Sequence, residues 1–142
     1  MLIFFFKFNL KGVFIIRKVF IIEDDETTIK LYRSIFKIYK YKILEIARNG
    51  QEALELFRTL DNKPDIILID YRLPVKDGLK VTEELLKIDQ NLKIIIISSD
   101  ITIKNKAILT GAISFIEKPF MIDYFIKKIS KCVEKELKII DI

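Results

Sequence analysis

The sequence IILIDYRLPVKDG, residues 66–78, decides the fold class of this chain. Four consecutive aliphatic residues end on Asp70, and turn-forming residues follow. A short apolar run that is rich in β-branched side chains and closed by turn residues is typical of a strand buried on both faces. Asp70 would then lie at the C-terminal end of the strand, which is the edge where open parallel sheets bind ligands. The stretch therefore predicts a buried parallel strand that brings a carboxylate to a binding edge.

Outward from this stretch, short apolar segments alternate with helical patterns. Strands are predicted at residues 19–22, 42–47, 66–69, 93–97 and 114–116. Helices are predicted at 27–39, in the NGQEALELF segment that begins at 49, and at 79–88, 104–110 and 121–138. Five alternations, with strands too apolar to face water, predict an α/β fold. Right-handed crossovers make it a doubly wound, five-stranded parallel sheet with helices on both faces, a flavodoxin-like (βα)5 arrangement.

Four of the predicted helices carry apolar residues at helical spacing, which marks the side expected to pack on the sheet. These residues are Leu31, Tyr32, Ile35, Phe36, Ile38 and Tyr39 in the first helix, Ala53, Leu54 and Phe57 in the second, Val81, Leu85, Leu86 and Ile88 in the third, and Phe125, Ile129, Val133 and Leu137 in the last.

Composition excludes several classes of chemistry. At 142 residues and 51% hydrophobic, the chain suits one globular domain. Its single cysteine, Cys132, cannot form an internal disulfide, which favours a reducing, cytoplasmic location. The chain has no histidine, so imidazole is excluded as general base, proton shuttle and metal ligand. Its chemistry must rest on carboxylates, hydroxyls and lysines.

The C-terminal segment KKISKCVEKELK suggests either a nucleic-acid surface or the solvated face of an amphipathic helix. The net charge is +5, and lysines recur at helical spacing at 128, 131, 135 and 138. Glu134 and Glu136 interrupt this basic stretch, and no aromatic residues interleave with it. We therefore favour the solvated face and expect no direct binding of nucleic acid.

The first 17 residues, MLIFFFKFNLKGVFIIR, form an apolar extension whose status the sequence leaves open. Polar residues at positions 7, 9 and 11 divide the apolar run, so it is too short to span a membrane. It also lacks the charged start and cleavage site of a signal peptide. A start codon assigned too far upstream, an extra strand or tail against the domain, and a weak interfacial anchor all fit, although membrane association is not expected.

Side chains suited to phosphoryl chemistry follow the predicted strands at one edge of the sheet: Glu23, Asp24, Asp70, Ser98 and Lys118. Three carboxylates in close proximity repel each other unless a cation joins them. An all-oxygen site without histidine or cysteine suits Mg²⁺. A lysine and a hydroxyl beside such a site suit the oxygens of a phosphoryl group.

Four segments in order, FIIEDDE, DIILIDYRLPVKDG, IIIISSD and GAISFIEKPF, resemble the signature segments of the receiver domain of two-component response regulators. The resemblance covers residues 18–138, and the closest type is the single-domain, chemotaxis-regulator-like receiver. It implies an extension at 1–17 and a receiver domain at 18–142. No effector domain is then expected after Ile142.

The resemblance implies a role for each matching residue. Asp70 matches the aspartate that accepts a phosphoryl group from the phosphohistidine of a sensor histidine kinase. Asp24 matches the carboxylate that binds Mg²⁺ directly, and Glu23 its companion, which acts through water. Arg72 matches the position whose backbone carbonyl completes the metal site.

Other matches concern the phosphorylated state. Ser98 matches the hydroxyl that turns toward the phosphoryl oxygens, and Lys118 matches the family's lysine, whose bond to the following proline is typically cis. Phe115 occupies the position of the aromatic switch. Arg72 and Asp100 stand at two positions that flank the path of water to the acyl phosphate, and their opposite charges would allow them to pair and to modulate its lifetime.

The segment EDDE offers two candidate acidic pairs. If the pair were Asp24 and Asp25, Glu23 would occupy the last buried strand position, which is costly for an unpaired charge. We therefore favour Glu23 and Asp24, with Asp25 just outside the metal pocket. The interval from Ser98 to Lys118 is shorter by two residues than in many relatives, so we expect trimming in the loop after the fourth strand or in the fourth helix.

Two functions of different class fit these residues. The first is a phosphorylatable switch that binds a downstream effector protein or relays the phosphoryl group to a histidine phosphotransfer protein, without being an ordinary enzyme. The second is a degenerate receiver that serves as a static interaction module. A metal-dependent phosphohydrolase fits poorly, because Arg72 stands where a second catalytic aspartate would be needed.

Overall fold

The structure is a computed structural model that describes residues 7–8 and 14–134, with side chains from residue 16 onward. Its strands are β1 (Lys7–Phe8), β2 (Phe14–Ile15), β3 (Lys18–Ile22), β4 (Lys42–Ala47), β5 (Ile66–Asp70), β6 (Ile94–Ser98) and β7 (Ser114–Glu117). Its helices are α1 (Glu26–Ile38), α2 (Gly50–Thr59), α3 (Gly78–Ile88), α4 (Lys104–Thr110) and α5 (Ile122–Glu134).

Strands β3 to β7 form one parallel sheet in the order β4-β3-β5-β6-β7. This confirms the predicted fold class, with every consecutive pair of strands joined through a helix. The short strands β1 and β2 pair with each other in antiparallel register, apart from this sheet. The rest of the predicted extension, at 1–6 and 9–13, lies outside the described residues.

Strand alternation divides the core between the two faces of the sheet. Val19 and Ile21 of β3 join the cluster beneath α1 and α5, where the rings of Tyr32 and Phe125 stack with centroids 5.4 Å apart. Phe20 and Ile22 point the other way and pack with α2, α3 and α4. All five residues of both β5 and β6 are buried, as their apolar sequences predict.

Short polar side chains begin three of the helices. Asp25, Asn49 and Asp77 precede α1, α2 and α3, and each side chain accepts a hydrogen bond from a backbone N–H in the first turn. A cap of this kind stabilises a helix by about 1 kcal/mol. These caps therefore determine the residue at which each of the three helices begins after its strand.

The predicted helix faces are mostly, but not wholly, correct. Leu31, Ile38 and Ile88 are exposed rather than packed on the sheet, at 41%, 58% and 44% of their surface, whereas Ile29, which we did not assign, is buried. The face of α1 is centred on the row of Ile29, Tyr32, Ile35 and Phe36, so Leu31 and Ile38 lie on its flank. Ile88 is the last residue of α3. The predicted continuation of α5 to residue 138, with Leu137, lies outside the described residues.

The loop between β5 and α3 is closed tightly beside Asp70. The Gly78 N–H donates to the Tyr71 carbonyl at 2.8 Å. A Cβ atom at position 78 would lie 2.7 Å from the carbonyl oxygen of Asp70, so only glycine fits this close approach. Leaving β5, the chain therefore turns immediately after Asp70 and keeps its carboxylate at the sheet edge.

Candidate functional site

Three carboxylates meet at the C-terminal edge of the sheet. Glu23 and Asp24 follow β3, and Asp70 ends the neighbouring strand β5. One oxygen from each of these side chains lies within 4.8 Å of the others. Glu23 and Asp70 are buried, with 1% and 8% of their surface exposed, whereas Asp24 faces solvent. The structure thus brings together the carboxylates that the sequence placed at separate strand ends.

Asp25 lies outside this cluster. Its carboxylate caps α1 and accepts hydrogen bonds from the backbone N–H and the hydroxyl of Thr28, at 2.9 and 2.7 Å. These bonds lower the pKa of Asp25. Its own backbone N–H donates to Glu23 Oε2 at 3.1 Å, which partly compensates the buried charge of Glu23. Asp25 thus serves as a helix cap while Glu23 and Asp24 lie beside Asp70, but Glu23 is buried, so the cost of burying its charge does not distinguish the two candidate pairs.

Lys118 is the cation of the site. It follows β7, its N–H donates to the Ser98 carbonyl at 2.9 Å, and its bond to Pro119 is cis. The ammonium donates to Asp70 Oδ1 at 2.9 Å and lies 3.5 Å from Glu23 Oε1. One lysine therefore contacts two of the three carboxylates, which leaves the cluster with an excess of negative charge.

Burial raises the pKa of both inner carboxyl groups. For Glu23 the second cause is the charge of Asp70, and the Asp25 N–H and Lys118 oppose the rise. For Asp70 the opposing contacts are the Lys118 ammonium and the backbone N–H of Arg72. Burial by itself would lower the pKa of Lys118, but its hydrogen bond to Asp70 and the charges of Asp70 and Glu23 raise it. Lys118 therefore stays charged at neutral pH, but its single positive charge does not neutralise the three carboxylates.

The donor set fits Mg²⁺. The ligand atoms are carboxylate oxygens, which hard divalent cations prefer. Glu23 Oε1 is buried and accepts no hydrogen bond, and the ammonium of Lys118 lies 3.5 Å from it. A divalent cation held by Glu23, Asp24 and Asp70 would supply the missing charge.

The raised pKa values predict a specific pH dependence of stability in the absence of metal. A carboxyl group with a raised pKa holds its proton more tightly when folded, so its contribution to stability falls as pH rises from its ordinary pKa, 4.5 for Glu23 and 3.8 for Asp70, through the raised value. In urea unfolding with EDTA, wild type should therefore lose stability relative to Asp70→Asn as pH rises above about 4, the ordinary pKa of an aspartate. If the difference in unfolding free energy between the two proteins does not change with pH, the pKa of Asp70 is not raised in the folded protein.

Ser98 lies on β6, next to the strand that ends on Asp70, and Phe115 lies on β7, the following strand of the sheet. Ser98 ends β6 and is buried, and its Oγ accepts a hydrogen bond from the Asp100 N–H at 3.0 Å. β6 has the same length as the predicted strand at 93–97 but is shifted by one residue, so it begins at Ile94 and ends on Ser98. Phe115 on β7 is 3% exposed and packs in the cluster beneath α2, α3 and α4. Both side chains therefore occupy the interior behind the site.

Arg72 and Asp100 line the mouth of the site without forming an ion pair. With Asp24, Tyr71, Leu73, Pro74 and Asp77 they surround an open cavity of about 530 Å³. Asp100 instead accepts hydrogen bonds from Thr102, which lower its pKa, and the charge of Arg72 lowers it further. No contact within 4 Å joins the two charged groups of Arg72 and Asp100 in this structure.

One contact near the site was missed by sequence reasoning. The ammonium of Lys76, in the loop after β5, lies 3.0 and 2.9 Å from the two carboxylate oxygens of Glu84 on α3. The two residues are eight positions apart and belong to a loop and a helix, so no periodic pattern pairs them. The sequence offered only one indication of this contact, which is that the acidic Glu84 lies on α3 within two turns of the basic loop residue Lys76.

Comparison with known proteins gives a consistent result. The profile of the family described as the response regulator receiver domain matches residues 19–130. The chemotaxis protein CheY of Thermotoga maritima is 32% identical over 117 residues, which cover 81% of this chain and 96% of that protein. The polar-differentiation response regulator DivK of Brucella anthropi is 42% identical over 77 residues, covering 54% and 59% of the two chains.

Solved structures share the fold. A receiver domain of a Francisella response regulator has a TM-score of 0.76 and 28% identity, and the match covers 84% of this chain and 98% of that one. CheY from Borrelia burgdorferi, in a complex with CheX, BeF3 and magnesium, has a TM-score of 0.77 and 24% identity and covers 85% of this chain and 90% of its own. Among the described residues, no helix is long and apolar enough to cross a membrane.

Proposed function

The chain belongs to the response regulator receiver domain family, and from this premise we propose that it is a phosphorylatable signalling switch. Asp70 would accept a phosphoryl group from a sensor histidine kinase in a Mg²⁺-dependent reaction. The observation that carries the proposal is the cluster of Glu23, Asp24 and Asp70 with the Lys118 ammonium 2.9 Å from Asp70 Oδ1. Family membership alone would also suit a signalling module without this chemistry.

In the proposed reaction, a carboxylate oxygen of Asp70 forms a bond to phosphorus while the bond from phosphorus to the donor's histidine nitrogen breaks. The electron pair of that bond returns to the imidazole, which takes up a proton, and Asp70 becomes an acyl phosphate. Glu23, Asp24, Asp70 and the Arg72 carbonyl would hold Mg²⁺, which would supply positive charge beside the phosphoryl oxygens. Lys118, already bonded to Asp70, would move its hydrogen bond to one of those oxygens.

Phosphorylation would be transmitted through Ser98 and Phe115. The Ser98 hydroxyl would exchange its bond from the Asp100 N–H for a bond to the phosphoryl group, which changes the start of the segment after β6. Phe115 lies on the adjacent strand β7 and would repack as that segment moves. The surface formed by β6, α4 and β7 would then change its affinity for an effector protein or for a histidine phosphotransfer protein.

Phosphorylation from a small donor tests the proposal most directly. The purified chain should be incubated with acetyl phosphate, with and without Mg²⁺, and its intact mass should be measured. We expect one phosphoryl group per chain with Mg²⁺ and none with EDTA. A chain that gains no mass under either condition, although correctly folded, would support the alternative of a degenerate receiver that acts as a static interaction module.

The lifetime of the acyl phosphate should depend on the mouth of the site. Arg72 and Asp100 carry opposite charges on the same cavity, and we expect them to hinder the approach of water once the phosphoryl group is present. Arg72→Ala and Asp100→Asn should each shorten the lifetime by about two- to fivefold, because the interaction between exposed charges is weak. Asparagine at 100 can still accept the hydrogen bonds from Thr102 and so preserves the turn.

The decay of the phosphorylated mass after removal of acetyl phosphate measures this lifetime. Mg²⁺ affinity should change little in either variant, because Arg72 would serve the metal through its backbone only. A longer lifetime in Asp100→Asn would show that Asp100 orients the attacking water, and the shielding role would then be wrong.

A further inference from the structure

The loop of residues 71–77 forms one wall of the candidate site. It is joined to the sheet by the Tyr71 N–H, which donates to the Ile97 carbonyl at 3.0 Å. The backbone N–H of Arg72 lies near enough to the Asp70 carboxylate to lower its pKa. Arg72, Leu73 and Pro74 line the same cavity as Asp24. A shift of this loop would therefore move the backbone of Arg72 relative to the acceptor and its acidic neighbours.

The tip of the loop is strained. Val75 has a φ of +72°, and the N–H of Lys76 donates to the Pro74 carbonyl across it at 2.8 Å. A hydrogen bond from residue i+2 to residue i with a positive φ between them is the rarer and strained form of the γ-turn. A β-branched residue seldom adopts this conformation, and the Val75 side chain is 77% exposed, so its own packing does not offset the strain. Such a conformation persists only where neighbouring contacts hold it.

Lys76 provides those contacts. Its ammonium lies 3.0 and 2.9 Å from the two oxygens of Glu84 on α3, and only about a quarter of each side chain is exposed. Its backbone packs against the start of α2, because a Cβ atom at Gly50 would lie 2.7 Å from Lys76 Cβ and 3.1 Å from its carbonyl oxygen. Within residues 16–134, no other ion pair connects this loop to the rest of the molecule.

We propose that the Lys76–Glu84 ion pair is a positioning clamp, which keeps the loop in its strained shape and thereby holds the Arg72 backbone where it completes the Mg²⁺ site. The inference rests on the proposed function, since it assigns the clamp to the same metal site. If the ion pair were broken, Val75 would relax toward a negative φ, and the turn at Pro74–Lys76 would open. The displacement would reach Arg72, which is only two residues before Pro74.

Two single substitutions separate a clamp from a simple charge effect. Lys76→Met keeps the length of the side chain, and Glu84→Gln keeps its shape, but each breaks the pair. Long-range electrostatics alone would make Mg²⁺ bind more tightly to Lys76→Met, which loses a positive charge, and less tightly to Glu84→Gln. The clamp predicts that both variants weaken Mg²⁺ binding, by about tenfold, the lower end of the range for residues that support metal ligands. The reversed pair, Lys76→Glu with Glu84→Lys, should recover most of the affinity.

The dissociation constant of Mg²⁺ is measured by calorimetric titration of the full chain and needs no phosphorylation. Lys87→Met is the matched control, because Lys87 lies 3.5 Å from Glu83 on the same helix and has no contact with the loop. It removes the same charge by the same substitution and should bind Mg²⁺ as wild type does. In the metal-free protein, exchange of the Lys76 amide proton reports the γ-turn directly and should be faster in Glu84→Gln.

A second substitution tests the strain. Glycine accepts a positive φ without steric cost. Val75→Gly should therefore restore most of the affinity that Lys76→Met loses, while Val75→Ala, which keeps a Cβ atom, should restore little. Wild-type affinity in both Lys76→Met and Glu84→Gln, or a failure of Val75→Gly to rescue, would overturn the clamp and leave the metal site standing. Failure of the wild-type chain itself to bind Mg²⁺ would instead overturn the proposed function, and the clamp with it.

Discussion

Asp70→Asn should abolish phosphoryl uptake from acetyl phosphate and leave the fold intact. The amide keeps the shape of the carboxylate and can still accept the 2.9 Å hydrogen bond from Lys118, but it lacks the anionic oxygen that attacks phosphorus. Because burial raises the pKa of Asp70, the charged form is costly in the folded protein, and its removal should not reduce stability at neutral pH without metal. Intact mass after incubation with Mg²⁺ and acetyl phosphate measures the effect.

Asp25→Asn is the matched control for this experiment. It makes the same chemical change at a neighbouring carboxylate that caps α1, and asparagine caps helices as well as aspartate does. We expect this variant to gain one phosphoryl group, as wild type should. A phosphorylated Asp70→Asn protein would place the acceptor elsewhere, with Asp25 as the first residue to examine.

Asp24→Asn should remove most of the stabilisation that Mg²⁺ gives the wild-type chain. A ligand that binds only the folded state raises the free energy of unfolding by about 2.7 kcal/mol when its concentration is 100 times its dissociation constant. Asp24 is exposed, so the substitution should cost little stability by itself, whereas the cluster loses one of its three carboxylates. Melting temperature (Tm) as a function of Mg²⁺ concentration measures the difference.

Asp77→Asn serves as the control for Mg²⁺, because Asp77 lines the same cavity but lies outside the carboxylate cluster. Asparagine preserves its cap on α3. The Tm of this variant should rise with Mg²⁺ as in wild type. If Asp24→Asn shows an equal rise, the metal site has been assigned to the wrong residues.

Much of the fold was predictable because its signals are local and periodic. The buried strands β5 and β6 follow from uninterrupted aliphatic runs, and α4 was predicted with the bounds that the structure shows. Errors arose because the spacing of apolar residues does not determine how a helix is rotated about its axis. The pattern that correctly marks Tyr32 and Ile35 as buried also marked Leu31 and Ile38, which are exposed. The orientation of a helix on the sheet depends on its packing partners, here the stacked ring of Phe125 on α5.

By itself, the sequence determined the fold class and which side chains meet at the edge of the sheet, because parallel strands with right-handed crossovers end at one edge. The tertiary structure alone decided how those side chains interact. It buried Glu23 and left Asp24 exposed, and it turned Asp100 toward Thr102 instead of Arg72. It also joined Lys76 to Glu84 beneath a strained turn. The physical reason is that burial and pairing depend on distances of a few ångströms between segments far apart in the chain, whereas the fold class follows from patterns within each segment.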